Sequence, residues 1–357
     1  MSTILRRHYV KEFLRAFAVA GFFLALILSL LDLVDMMGDL SSLRPSLGGL
    51  AGYTALVFPR YFLYLMPAAA LICSLYTVGR ASRAKELVAV MAAGGRIKAL
   101  LMPFVLLGAV ISLAGFALGE FAAPACSEKA LEVRQSMKGK SALPSLYQDG
   151  MIWLRADDGS IVKIDFFLEN TDTLKGISIF RTDGGGLREI VTAEMGVYSA
   201  AEKAWTLKGV KRYEVPTGQT EELQEMRYPY LSSLEALREG ARKPFEMGIL
   251  ELARYLDRLH RAGFRNQRLE VELQSKISYP LVSLFMVVIG ISFSARRKMG
   301  GLAAAAIGLL ISLFYFFAYT MALSLGYAGI LPPPVAAWAM PLAFGAVSLM
   351  LFRKIPE

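Results

Sequence analysis

Residues 299–352 read MGGLAAAAIGLLISLFYFFAYTMALSLGYAGILPPPVAAWAMPLAFGAVSLMLF, 54 positions without a charged side chain, with Pro332, Pro333 and Pro334 near the middle. A helix needs about 20 apolar residues to cross a hydrocarbon core of roughly 30 Å, so this stretch holds two crossings. Proline lacks the backbone donor that a helix interior uses, which puts the triplet in the turn between them. The solvent of this part of the chain is therefore lipid.

Working outward, Ala99–Gly119 and Ile277–Ala295 are also uncharged and long enough to cross. Ala16–Leu31 is apolar and extends to Met37 if Asp32 and Asp35 sit at headgroup level; Tyr61–Gly79 reaches back to about Tyr53 if Arg60 is accommodated. Six spans follow, three on each side of a polar central block. A mean hydropathy of +0.45 with 55% hydrophobic residues fits a polytopic protein carrying one sizeable soluble domain. Arg6 and Arg7 precede the first apolar run as in a secretory signal, but no small-residue cleavage site follows and the acids from Asp32 to Asp39 are wrong for one, so a retained first span is expected.

The net charge of +9 suggests nucleic acid until it is mapped. Residues 123–270 hold 22 basic and 22 acidic residues, so the excess lies wholly in the membrane part, with 17 basic against 8 acidic. Fourteen of those bases fall in four places: Arg6, Arg7, Lys11 and Arg15; Arg80, Arg83, Lys85, Arg96 and Lys98; Arg296, Arg297 and Lys298; Arg353 and Lys354. All four lie on one side if both termini are cytoplasmic, which by the positive-inside rule puts residues 123–270 outside. The basic excess is a topology signal.

Between about 140 and 228 the texture changes to short alternating runs that include Met151, Trp153, Ile177, Ile179, Trp205, Leu207 and Val210. Asp157-Asp158-Gly159, Asp183-Gly184-Gly185-Gly186 and Pro216-Thr217-Gly218 punctuate them with turn chemistry. Strands at this spacing read as an antiparallel sandwich or jelly roll, whose edges are either blunted or used to pair with another protein's strand. Beyond it, Ile249, Leu252, Leu256 and Leu259 recur at helical spacing, predicting an amphipathic helix either at the membrane surface or packed on the sheet. The expected divisions are 1–122 (three spans and a cytoplasmic helix at about 80–95), 123–246 (the β domain) and 247–357 (connector helix and three spans).

No residues promise catalysis. Gly139-Lys140-Ser141 lacks the glycine and strand of a P-loop, so any ATP is bound by another chain. His8 and His260 are the only histidines, and Cys73 and Cys126 differ too much in membrane depth to pair comfortably. The sharpest local feature is Gly79–Gly95, where Leu87, Val90 and Met91 form a short apolar face, Glu86 is the sole acid among the five bases from Arg80 to Lys98, and Gly94-Gly95 closes the helix. Glu86 either relieves repulsion among its neighbours or pairs an arginine of a soluble motor subunit into which the helix inserts.

The order of features, namely Lys85-Glu86-Leu87-Val88-Ala89-Val90-Met91-Ala92-Ala93-Gly94-Gly95, Gly119-Glu120-Phe121-Ala122-Ala123-Pro124, Trp205-Thr206-Leu207, Glu272 to Leu281 and then Leu331-Pro332-Pro333 with Ala336-Ala337-Trp338, resembles the LptF/LptG (YjgP/YjgQ) permeases of the lipopolysaccharide exporter over essentially the whole chain. The first and last spans look more like the LptG branch. The resemblance implies a membrane α-helical fold of six spans with a periplasmic β-jelly roll inserted between the third and fourth. It implies a multi-pass protein of the bacterial inner membrane, partnered by a paralogous LptF-like permease, a dimeric LptB-like cytoplasmic ATPase that holds the ATP and Mg, an LptC-like periplasmic jelly-roll protein, and lipopolysaccharide as cargo. No cofactor is expected on this chain itself.

Within that resemblance Glu86, Leu87, Val90 and Arg83 belong to the helix that docks on the ATPase, although Lys85 and Met91 stand where serine and arginine are common. Arg134, Lys129, Lys138 and Arg60 are the candidate headgroup cations. Alternatively Arg60 pairs Asp32, Asp35 or Asp39, and the other three line a solvated helix face. The acids at 32, 35 and 39 replace a base that LptG-like chains place near the end of the first span, so either the grip lies elsewhere or a divalent cation intervenes. Gly300, Gly301, Ala304 and Gly308 read as a lateral gate or as ordinary close packing. Trp153, Phe166 and Trp205 read as an acyl-chain path or as plain core. Competing readings are a permease for another lipid, a non-transporting scaffold with a periplasmic binding domain, and, least supported, an intramembrane enzyme.

Overall fold

A computed structural model describes residues 3–39, 47–137, 146–148, 151–156, 158–168, 173–183, 186–199, 204–231, 247–261, 265–295 and 300–355. The chain divides into two compact units, one of residues 1–134, 244–256 and 265–357, the other of residues 135–243 and 257–264.

In the first unit the helices are α1 (Thr3–Asp39), α2 (Leu47–Arg83), α3 (Glu86–Ala92) and α4 (Ile97–Ala117), which passes through a π turn (Leu118–Ala122) into α5 (Ala123–Met137). After the sheet come α6 (Ile249–Arg261), α7 (Gln267–Ser294), α8 (Gly301–Tyr327) and α9 (Pro333–Arg353). Six stretches are long and apolar enough to cross a membrane: Leu5–Met37, Leu47–Arg83, Ile97–Arg134, Gln267–Ser294, Gly301–Tyr327 and Pro333–Arg353. The prolines do what the sequence asks. Pro332 caps α9, and Pro333 and Pro334 occupy its first turn, where no donor is missed. The connector expected around Leu252, Leu256 and Leu259 is α6, with those three leucines buried.

Burial sorts the spans. In the second and fourth, 67% of the most apolar window is buried, against 17% in the first and 22% in the fifth and sixth. Helices α2 and α7 therefore form the centre, with α1 and α8 against α2 and α9 against α7. Apolar side chains give no driving force for association in lipid, so small residues and hydrogen bonds set this packing. A Cβ on Gly290 would sit 1.8 Å from Ser74 Oγ, which shows how closely α7 lies on α2. Ser294 Oγ donates to Leu75 O (2.9 Å), Ser278 Oγ to Ala337 O (2.8 Å), and Trp338 Nε1 to Gln274 Oε1 (3.0 Å).

The second unit is one seven-stranded antiparallel sheet in chain order: β1 (Leu146–Gln148), β2 (Met151–Arg155), β3 (Ile161–Leu168), β4 (Thr173–Asp183), β5 (Gly186–Ser199), β6 (Ala204–Glu214) and β7 (Gln219–Tyr228). In the chain it follows α5 and precedes α6. The three turn signals fall between β2 and β3, β4 and β5, and β6 and β7. The strand order is a meander without crossover among the described strands.

Its alternation breaks once, on five strands together. Inward residues step by three instead of two from Ile164 to Phe167, Ile177 to Leu174, Ala193 to Gly196, Val210 to Leu207 and Leu223 to Met226. On this line Gly176 and Gly209 take φ of +63° and +64°, with the side chains of Asp165 and Glu194 laid over them. A one-residue slip normally turns a strand's apolar set to the other face; made on neighbouring strands together, it kinks the sheet and keeps one face apolar. The sheet consequently coils back on itself. Tyr228, at the far end of β7, places its hydroxyl 2.6 Å from Ser160 Oγ and 3.2 Å from the Asp158 carboxylate in the β2–β3 turn.

Candidate functional site

Helix α2 ends at Arg83, and Lys85 turns the chain with a φ of 60°, a left-handed conformation that costs an L residue roughly 1–2 kcal/mol. The seven residues of α3 follow. They stop where the sequence says they should: Gly94, at φ +75°, donates to Met91 O (2.9 Å) and Gly95 to Val90 O (2.8 Å), the interlocked pair that terminates a helix. The expected docking residues are not all on one face. Leu87 is 4% exposed and packs with Val90 into the chain's own core beside Tyr9, Val78 and Leu100, whereas Val88 and Met91 point outward. Arg83 belongs to α2 and lies against Gly300.

Glu86 is partly buried and accepts a hydrogen bond from the hydroxyl of Tyr9, a residue of α1 that is itself 4% exposed. One turn further along α1, Glu12 pairs with Arg80 of α2 at 3.1 Å and lies 3.8 Å from His8. The short helix is thus tied to the foot of the first span by a phenol and an acid, and an ion pair beside them ties the first span to α2. Nothing in the sequence marks Tyr9, because its partner lies 77 positions away.

About 30 Å up α1 from this foot, by the 1.5 Å helical rise, sits a second constellation. Asp32 accepts from the hydroxyls of Tyr53 and Tyr61, each at 2.7 Å. Those tyrosines are eight apart on α2, two helical turns on one face, which is the one sequence signal for them. The Arg60 guanidinium stands 5.2 Å from the Tyr61 ring centroid, and Arg134 lies close enough to the Tyr53 hydroxyl to act on it electrostatically. Two of the four candidate headgroup cations therefore gather around one carboxylate from three helices. Lys129 is exposed on α5, and Lys138 lies outside the described residues. Asp35 is exposed, the Asp39 side chain is not described, and no group of three or more acids, histidines and cysteines among the described residues is placed to hold a metal.

A third cluster lies where the π turn presents Glu120. Its carboxylate accepts from the backbone N–H groups of Ile249 (2.5 Å) and Leu250 (3.3 Å), capping α6 from 129 residues away in sequence. Lys276, half-buried on α7, interacts with Glu272, Glu120 and Glu251. Ionisable groups at this depth survive only when paired or facing a wet cavity.

Of the small residues at the start of α8, Ala304 and Gly308 pack inside the chain, while Gly301, Ala303 and Ala306 are exposed. A Cβ on Gly308 would meet Ile72 Cγ1 at 2.9 Å and Leu75 Cδ1 at 3.1 Å; Ala304 is 1% exposed, and Gly301 faces the Tyr76 ring. The outward face of α8 is instead large and apolar, carrying Leu310, Phe314 and Phe317. In the sheet, Trp205 is fully buried and Phe166 is buried, while Trp153 is half-buried and stacks on Phe180 at 6.1 Å.

The family model of the "Lipopolysaccharide export system permease LptF/LptG" matches residues 7–354. The chain is 24% identical to the lipopolysaccharide export system permease protein LptG of Escherichia coli strain K12, over 98% of each chain, and equally to that of Escherichia coli O6:H1. Six helices long and apolar enough to cross a membrane among the described residues, a seven-stranded sheet between the third and fourth in chain order, and a match along almost the whole length agree: this chain belongs to the LptF/LptG family of lipopolysaccharide export system permeases.

Proposed function

We propose that this chain is the LptG-like membrane subunit of an ATP-driven exporter that draws lipopolysaccharide from the outer leaflet of the inner membrane. Its termini are cytoplasmic and its sheet is a periplasmic jelly roll. The observation that carries the reading is the whole-chain family match together with spans whose outward faces are apolar: Val19, Phe22 and Phe23 on α1, and Leu310, Phe314 and Phe317 on α8. A paralogous LptF-like permease covers part of these faces, and the space between the first span of one subunit and the fifth of the other admits lipid sideways. The gate is thus the large apolar face of α8, while Ala304, Gly308 and their neighbours hold that helix to α2.

In this reading α3 docks on an LptB-like ATPase dimer through Val88, Met91 and Glu86, with Arg83 beside it, and ATP and Mg stay on that partner. Leu87 and Val90 fix α3 to its own spans. Arg60 and Arg134 meet the phosphorylated headgroup at the Asp32 rim, and Lys129, exposed earlier on the helix that carries Arg134, and Lys138 are the two further headgroup cations of this reading. In this reading the coiled meander takes the place of the jelly roll expected from the family, and it joins an LptC-like partner edge to edge. Trp205 serves as core and Phe166 is buried off the inward line that Phe167 continues; Trp153 is the one of the three aromatic candidates with a half-open face.

The test is reconstitution with the partner permease and ATPase in vesicles holding lipopolysaccharide. ATP-dependent release to a soluble periplasmic acceptor supports the reading. Hydrolysis with no release of any lipid overturns it, and release of a different lipid only replaces the cargo.

A further inference from the structure

At the end of the sheet where the β2–β3, β4–β5 and β6–β7 turns gather lies an open groove of about 1270 Å³. Its walls are mostly polar. Glu189 lies between Arg181 (2.9 Å) and Arg212 (2.5 Å), and Asp158 takes the Ser160 and Tyr228 hydroxyls and approaches Arg181 at 3.7 Å. The lining counts four arginines and four carboxylates, so a phosphate entering it would meet as many like charges as opposite ones. A polyhydroxylated ligand faces no such conflict, since every hydroxyl both donates and accepts and can alternate between guanidinium and carboxylate. Tyr230 adds what a charged ladder lacks. Its ring is 46% exposed at the groove, set edge-on to Tyr228 at 5.7 Å, and offers a flat apolar platform to the C–H face of a sugar.

We propose that this groove is a saccharide-binding site, sized for several sugar units, on the soluble sheet of the permease. Its assignment to the sugar portion of the exported lipid rests on the function proposed above; the site itself rests on the groove alone. Buried ion pairs that serve only to stiffen the sheet would not leave an exposed aromatic ring beside an open, charge-balanced trough of this volume.

The test uses the full chain in detergent and two soluble probes without acyl chains: deacylated lipopolysaccharide core oligosaccharide and a peptidoglycan-derived glycan, each followed by saturation-transfer NMR and calorimetry. Binding of either probe, weakened about tenfold by Tyr230→Ala or by Arg188→Ala and not displaced by inorganic phosphate, supports the site. If only the peptidoglycan glycan binds, the groove stands and its link to the lipid cargo falls. No binding of either probe, binding that neither substitution alters, or displacement by phosphate overturns the proposal. Arg188 is exposed, so its variant keeps the question open to an answer even if Tyr230→Ala misfolds.

Discussion

Tyr9 does for Glu86 what the local sequence cannot. A carboxylate among five bases has many ways to lie, and a single buried hydroxyl from another helix fixes one of them. Removing one partner of a hydrogen bond to a charged group costs about 1.5–3 kcal/mol. Tyr9→Phe is therefore expected to leave the ATPase bound while lowering the lipid released per ATP several-fold, read as co-purification against coupled turnover. Glu86→Ala is expected to lose co-purification itself. Equal loss in both variants would assign Tyr9 a purely structural role.

The Asp32 rim behaves in the same way. Asp32→Asn keeps the shape but replaces one accepting oxygen by an amide NH2 that only donates, so one of the two phenols must turn from donor to acceptor and both lose a charged partner. We expect a destabilisation of about 1–3 kcal/mol, seen as a lower melting temperature in detergent. Each of Tyr53→Phe and Tyr61→Phe should have less effect in the Asp32→Asn background than alone.

Among elements, the coiled sheet depends on its line of kinks. Gly176→Ala, Gly209→Ala and Gly218→Ala each place a side chain at a left-handed position, at about 1–2 kcal/mol, and the first two are expected to cost more than the third, because their Cβ also meets Asp165 and Glu194 while that of Gly218 meets nothing within 4 Å. Protease resistance of the sheet against that of the spans measures this.

Closure of the coil has a pH signature. Burial, and then the nearby Asp158, push the Tyr228 hydroxyl up to about 12, while in the unfolded chain it ionises near 10. Between those values the unfolded state releases a proton that the folded sheet keeps, so stability falls as pH rises from 10 to 12. Tyr228→Phe is expected to flatten the loss over this window in an alkaline proteolysis series.

For the whole molecule, the decisive surface is the one its own helices leave uncovered. A cysteine at Phe317, on a background lacking Cys73 and Cys126, is expected to cross-link to a cysteine in the first span of the partner permease. One at Ala304, 1% exposed against α2, is not. The reverse pattern would return the gate to the small-residue face.

The sequence alone determined the number of the spans, the glycine stop of α3, the proline start of α9, the hairpin turns and the family resemblance. Each of these follows from a property carried by consecutive residues: apolar length, a missing backbone donor, a glycine that can take positive φ. It did not determine the helix limits: the first four spans run beyond the uncharged stretches, the third as far as Arg134. Tertiary structure alone decided which face of a helix is free. Leu87 and Met91 both belong to one apolar stripe, yet the first is buried by α4 and the second is not; Gly308 and Phe317 share a span but face opposite neighbours. In lipid the apolar face and the exposed face of a helix have the same composition, so hydrophobicity cannot tell them apart, and only the packing partner does. The pairings of Tyr9 with Glu86, Asp32 with Tyr53 and Tyr61, and Tyr228 with Asp158 were out of reach for the same reason: they join residues that are neighbours only once the helices have met and the sheet has coiled.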